Sequence, residues 1–310
     1  MLGKSITPER YAELVSTGRH PSPPWLSFDA GEFQACYNRR PFLITHRLAE
    51  HPLLELEALF ALCRRMPRGQ VHHRFGAVPV DAHFDSSLSR FKEGLTLDDA
   101  LDHLQDRQAY VCIYNPETDP EYRPLIEGLL AEVAAQSEPL DPAMTWYSSY
   151  VFISARESVT PYHMDREMNF LMQVRGHKTV RLWDPSDDEI MSPAQKDYLL
   201  SSQAADARPR YRPSFGDKAM VFELRPGLGV HHPFIAPHLV HTGPELSISL
   251  ALTYRTRQSD TWTDAHRFNQ QLRRLGMHPD AVGRRAWEDG AKAAVVRAAR
   301  QARAALRTHH

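Results

Sequence analysis

The sequence predicts a mainly β protein with flanking helices, an α+β chain built around an antiparallel sandwich or barrel. Three observations carry this. Five short runs rich in β-branched and aromatic residues crowd together after Trp146: WYSSYVFISA (146–155), MNFLMQV (168–174), KTVRLWD (178–184), KAMVFEL (218–224) and LSISLALTYR (246–255). Turn residues separate them, as in RGHK and RPGLG. Helical patterns stand before and after the block, which suits strands closed on themselves and capped by helices.

The elements follow in order. Thr7 is an N-cap, Pro8 takes the first helical position and Gly18 ends the helix. HPSPPW (20–25) is a proline-rich connector, and RPFLITH (40–46) is a strand. LLELEALFALCRRM (53–66) has helical spacing, a basic last turn and Pro67 beyond it. TLDDALDHL (96–104) is a short helix in which Thr96 and Asp99 form a capping box. AYVCIY (109–114) is a strand, followed by a helix over about 122–135. After Thr256 two helices are expected, over about 262–275 and 281–306. The chain therefore divides into N-terminal elements (1–108), a β core (109–256) and a helical extension (257–310).

At 310 residues, 42% hydrophobic and 24% charged, the chain can bury a sizeable core. Its net charge of -1 gives no global attraction to nucleic acid or to a membrane surface. The charge is uneven: residues 255–310 carry 12 Lys+Arg against 5 Asp+Glu, and the rest carries 25 against 33. The basic end is either a solvated helix face or a contact surface. Val295, Val296, Ala299, Ala302 and Leu306 can form one apolar stripe, which suits pairing with a second copy or packing on the chain's own barrel. Cys36, Cys63 and Cys112 are odd in number, widely spaced and form no CxxC pair. That argues against a disulfide framework or a thiolate zinc site and fits a cytoplasmic setting. The N-terminus has no apolar run long enough for a signal peptide, and no stretch reaches the ~20 apolar residues of a membrane span.

His-x-Asp occurs three times, as His83/Asp85, His163/Asp165 and His278/Asp280. Pro279 forbids a regular strand at the third. The first runs into SSLSR with no strand pair after it. Only His163/Asp165 opens a strand series, where residues i and i+2 face one side and can present an imidazole and a carboxylate to one point. With a distant histidine they would complete a two-histidine, one-carboxylate facial triad, which leaves positions open for a cosubstrate and O2. The candidates for the third ligand are His231, His232, His238 and His241. The tripeptide by itself describes a metal-free His–carboxylate hydrogen bond equally well.

The surrounding residues are more specific. VTPYHMDREMNFLMQVRGHKTVRLWDP (159–185) resembles the Jumonji-C and cupin-like 2-oxoglutarate oxygenases, closest to the branch of the hypoxia-inducible-factor asparaginyl hydroxylase. The T-P-x-H-x-D, N-F and Q-V-x-G-x-K elements keep that branch's spacing. PGLGVHHPFIAPHLV (226–240) is similar to its second half, with Pro226 twelve and Pro233 five residues before His238. This register selects His238 and keeps His241 as the fallback. Leu228 stands where the family has Asp, and Ala236-Pro237 where it has two tryptophans.

The resemblance implies a double-stranded β-helix (jelly-roll) core holding Fe(II) on His163, Asp165 and His238, with 2-oxoglutarate and O2 as cosubstrates. It places the distal carboxylate on Lys178, assisted by Thr160 and Tyr110, with Tyr114 as the alternative to Tyr110. Asn169 falls near the C1 carboxylate, and Thr253 replaces a second amide there. The implied reaction is oxidative decarboxylation of 2-oxoglutarate to succinate and CO2, coupled to hydroxylation of an amino-acid side chain in a protein, a peptide or a peptide-like small molecule. An N-methyl demethylase would share that chemistry. A cupin-like metal-binding or regulatory protein without turnover is the alternative from another class, and it has no need of a keto-acid pocket. Arg166, Glu167 and one of His231/His232 adjoin the site. Relatives near this branch pair through C-terminal helices, which implies a homodimer.

Overall fold

In the computed structural model, which describes residues 3–20, 23–82, 84, 96–104, 108–204 and 207–308, the early strands extend the larger of two sheets. They are β1 (Lys4–Ser5), β2 (Leu26–Ser27), β3 (Leu43–His46), β4 (Val71–Arg74) and β5 (Tyr110–Tyr114). Eight further strands follow: β6 (Met144–Ser154), β7 (Val159–Met164), β8 (Met168–Arg175), β9 (Lys178–Leu182), β10 (Met220–Leu224), β11 (Leu228–His232), β12 (Pro237–Thr242) and β13 (Ser247–Thr256). Among the described residues the larger sheet runs β2-β3-β11-β8-β13-β6-β5-β4, with β1 on β6, and the smaller runs β10-β9-β12-β7. From β6 to β13 the chain crosses repeatedly between the sheets, and every pairing is antiparallel. This is the expected jelly-roll.

The two faces of the larger sheet are used differently. One face carries the main core, in which Val151, Ile153, Phe170, Leu250 and Leu252 pack with helical residues such as Leu59, Ile126 and Leu129. The helices concerned are α1 (Pro8–Gly18), α2 (Ala30–Cys36), α3 (Leu56–Arg65), α4 (Leu97–Asp102) and α5 (Arg123–Ser137). Between the sheets lies a smaller cluster built on Leu171, Val180, Leu182, Val230, Val240 and Ala251. It fills only part of the barrel.

Local signals explain most boundaries. Thr96 and Asp99 form the expected capping box of α4. α1 does end at Gly18, yet the glycine is needed for contact. A Cβ there would lie 1.8 Å from the Ala131 carbonyl oxygen of α5. Gly18→Ala must push the two helices apart and should cost about 1–3 kcal/mol, read as a lower urea midpoint at unchanged m-value.

α6 (Pro193–Ser201) lies between β9 and β10, and Ser192 caps it through a box with Gln195. α7 (Arg257–Arg274) begins earlier than the apolar spacing indicated, because Thr256 and Ser259 cap each other across its first turn. Buried Asp197 of α6 accepts bonds from His266 at 2.6 Å and Arg273 at 2.6 Å, which ties α6 to α7. α8 (Ala286–Thr308) buries Ala293 but leaves Val295, Ala299, Ala302 and Leu306 exposed. The stripe does not pack on the chain's own barrel. No helix among the described residues is long and apolar enough to cross a membrane.

Candidate metal centre

His163 on β7 lies directly opposite His238 on β12 in the smaller sheet, and Asp165 follows the end of β7. One potential ligand atom from each of the three lies within 4.8 Å of the others. Nε2 of His163 is 3.9 Å from Asp165 Oδ1, and Nε2 of His238 is 3.9 Å from Asp165 Oδ2. Both gaps are too long for hydrogen bonds. Two ligands ~2.1 Å from a common ion lie at most ~4.2 Å apart, so the gaps admit a cation between them.

Each imidazole is oriented from behind. Nδ1 of His163 bonds the Pro161 carbonyl at 2.8 Å, and Nδ1 of His238 bonds the Ala236 carbonyl at 3.1 Å. A carbonyl only accepts, so Nδ1 carries the proton and Nε2 turns its lone pair to the carboxylate. Burial holds the His163 imidazole well below its ordinary pKa. Burial also lowers that of His238, against the attraction of Asp165. Both are therefore neutral near pH 7, the form that binds a metal. Two neutral imidazoles and one carboxylate fit a divalent iron of the facial-triad type.

The other histidines are placed elsewhere. His241 lies on the opposite face of β12, half-buried, with Nδ1 3.2 Å from an Arg181 guanidinium nitrogen. His231 is turned into the main core, stacked on Tyr37 and bonded to the Asn169 carbonyl and the Asn38 amide. His278 and Asp280 lie in an exposed connection between α7 and α8. His83 and Asp85 fall outside the described residues.

A cavity of about 500 Å³ opens beside the triad, and Lys178, Thr160, Tyr110, Asn169 and Thr253 all line it. Its size is ordinary for a small-molecule site. Lys178 is 4% exposed and meets no carboxylate among the described residues; its ammonium lies 5.6 Å over the Phe152 ring. Burial pulls its pKa down to about 7. A buried lysine without a counter-ion is costly, and an anion in the cavity would relieve it.

Thr160 reaches the interior through an irregularity. Pairing shifts between His238/His163 and Val240/Thr160, so β7 carries one extra residue there. Pro161 sits in the shift, where its missing N–H does no harm. Strict alternation would have turned Thr160 away from His163. Tyr110 and Tyr114 share one face of β5 and both line the cavity, so choosing one does not exclude the other. The Oδ1 of Asn169 is buried without a hydrogen-bond partner among the described residues.

Two lining residues, Phe84 and Arg208, were out of reach of the sequence, whereas Arg166 and Glu167 were expected beside the metal motif. Phe84 stacks on His163 at 3.8 Å, and the Arg208 guanidinium lies 5.4 Å over Phe84 while its Nε donates to the Met164 carbonyl. Arg166 donates to the Leu199 and Ser202 carbonyls, fastening the segment after Asp165 to the end of α6. Glu167 is half-buried at the cavity, and burial with the nearby Asp165 charge pushes its carboxyl up to about 7. Only α6 had a local signal, its Ser-Pro-x-Gln start; loop residues such as Arg208 are placed by tertiary structure.

Comparison with known proteins places this geometry in a family. A family model described as a cupin-like domain matches residues 68–260. No curated protein matches the sequence. Among solved structures, the chain is similar to E. coli YcfD, with 15% identity, a TM-score of 0.47, and coverage of 85% of this chain. It spans 63% of that protein's length. A structure of this ribosomal oxygenase from Escherichia coli in complex with cobalt and 2-oxoglutarate matches at 14% identity and a TM-score of 0.46, covering 84% of this chain and 62% of that one. The coconut allergen cocosin matches at 14% identity and a TM-score of 0.25, covering 36% and 22%. With its jelly-roll and a family match over more than half its length, the chain belongs to the cupin-like domain family.

Proposed function

We propose that the protein is an Fe(II)- and 2-oxoglutarate-dependent oxygenase, with iron held by His163, Asp165 and His238. One observation carries this: the triad shares its cavity with a buried lysine that has no acidic partner among the described residues. A plain metal binder has no use for the lysine. When bound, Fe(II) with 2-oxoglutarate and O2 supplies the oxidising chemistry, releasing succinate and CO2 and inserting one oxygen atom into a substrate C–H bond.

The chain's own residues bind and orient. The carbonyls of Pro161 and Ala236 fix the two imidazoles, so little reorganisation accompanies metal binding. Along β12, Lys178 pairs with Thr242 and Leu182 with His238, so the lysine's row lies four residues from the metal row, ~13 Å along the strand. Lys178 and the triad therefore stand apart in one cavity, which suits a ligand with an acid group at each end. Lys178, Thr160 and Tyr110 take the distal carboxylate, and Asn169 lies at the metal end. Tyr114, Tyr150 and Phe152 form an aromatic wall that excludes water. No general acid or base is required, and none is assigned.

The substrate is an amino-acid side chain of a protein, a peptide or a peptide-like small molecule. Arg166, Glu167 and Trp146 at the cavity offer both charges and an aromatic face to such a group. Purified protein with Fe(II) should release succinate from 2-oxoglutarate slowly without substrate and faster with it, and His163→Ala should abolish both. Wild-type protein that holds iron yet forms no succinate would refute the proposal. A product gaining one oxygen marks a hydroxylase, and loss of a methyl group as formaldehyde marks a demethylase.

A further inference from the structure

One row of side chains crosses the interior of the larger sheet beside the metal centre. His232 on β11 pairs with Asn169 on β8, Asn169 with Thr253 on β13, and Thr253 with Ser148 on β6. Residues directly opposite in an antiparallel ladder project from the same face. His232, Asn169 and Thr253 all reach the cavity.

Their hydrogen bonds are unequal. The Thr253 hydroxyl donates to the Ser148 carbonyl at 2.8 Å and has no second proton to give. His232 is 3% exposed, and neither of its ring nitrogens has a hydrogen-bond partner among the described residues. Asn169 is 5% exposed, with its Oδ1 equally unpartnered. The neighbouring His231, facing the other way, has both nitrogens bonded. Leaving a buried donor unpaired is costly, so the N–H of His232 calls for an acceptor group from a ligand; the Asn169 side chain can offer its Nδ2 protons beside it, while its Oδ1 can only accept.

The row adjoins the metal end of the cavity. The His232 ring stands 4.6 Å from that of His238 at an interplanar angle of 70°, and His238 is held from behind by Ala236 instead. A neutral imidazole donates one hydrogen bond and accepts another. Beside the Asn169 amide it offers a second donor on the flank opposite Thr253.

We propose that His232 binds the C1 carboxylate of the keto-acid together with Asn169, supplying the donor that Thr253 cannot. This rests on the oxygenase reading above and assigns the metal end of the same site. Lys178, with Thr160 and Tyr110, then governs only the distal carboxylate, and the two ends are separable by ligand.

The test uses full-length protein loaded with Mn(II), titrated calorimetrically with 2-oxoglutarate and with pyruvate, which keeps the 2-oxo acid but lacks the distal carboxylate. His232→Leu keeps the volume and removes both nitrogens. It should weaken both ligands at least about tenfold, while Mn(II) affinity and the thermal midpoint stay at wild-type values. His232→Gln, which restores an amide donor, should recover much of the loss. Lys178→Ala should weaken 2-oxoglutarate and leave pyruvate unchanged. Unaltered affinity of His232→Leu for both ligands overturns the inference. So does a parallel loss of Mn(II) affinity, which would make His232 only a support for His238. Wild-type protein that binds Mn(II) but neither keto-acid overturns the oxygenase reading and this inference with it.

Discussion

His238→Ala is expected to weaken Fe(II) or Mn(II) binding at least ~100-fold, whereas His241→Ala leaves it within about threefold. The two histidines are three residues apart on one strand, so they face opposite sides. His238 presents Nε2 to Asp165 from 3.9 Å, while His241 meets Arg181 on the outer face. Removing His238 leaves one imidazole and one carboxylate, too few to hold the ion in a site shaped for three. Dialysis against metal followed by elemental analysis, with circular dichroism to confirm folding, reads the difference. Retention of metal by His238→Ala with loss in His241→Ala would move the third ligand to the outer face.

Lys178→Ala is expected to raise the KM for 2-oxoglutarate about 100-fold, by removing the cationic partner of a buried carboxylate. Metal affinity should be unchanged, because the lysine is four residues along the ladder from the triad. A pH dependence accompanies this. Burial lowers the Lys178 ammonium to about 7 in the free cavity. Below that pH the lysine is already charged and binds the carboxylate directly. Above it, binding must also take up a proton, so affinity should fall by up to about tenfold per pH unit. A bound carboxylate favours the charged lysine and raises its pKa, which limits the decline at high pH. Titrations with 2-oxoglutarate from pH 6 to 9 should show this slope in the wild type and not in Lys178→Ala. A flat wild-type profile would mean that the lysine stays charged without its ligand.

The β core was legible in the sequence because its strands are long, β-branched and separated by clear turns, and five of them lie where those runs indicated. The three residues that could hold a metal were legible for a different reason. Alternation could pair His163 with Asp165, but it offered four histidines for the third position, and the proline register chose among them. The site's remaining details lay beyond periodicity. Thr160 and His163 share the interior only because β7 is irregular at Pro161. His232, not His231, faces the cavity because of the ladder register between β11 and β8. Phe84 and Arg208 come from segments with no regular pattern, and their stacking over His163 is decided by packing between distant parts of the chain. α7 starts before its apolar spacing because Thr256 and Ser259 cap each other across its first turn, a signal that hydrophobic periodicity does not carry.

Chelation by a 2-oxo acid of an iron held by His163, Asp165 and His238 would give the metal a visible charge-transfer absorption, which anaerobic titration of the Fe(II)-loaded protein with 2-oxoglutarate reads. The expected result is a band that saturates at one equivalent, that glutarate does not produce, and that is absent in His238→Ala. A wild-type protein that carries one equivalent of iron and shows no band at saturating 2-oxoglutarate would contradict the claim.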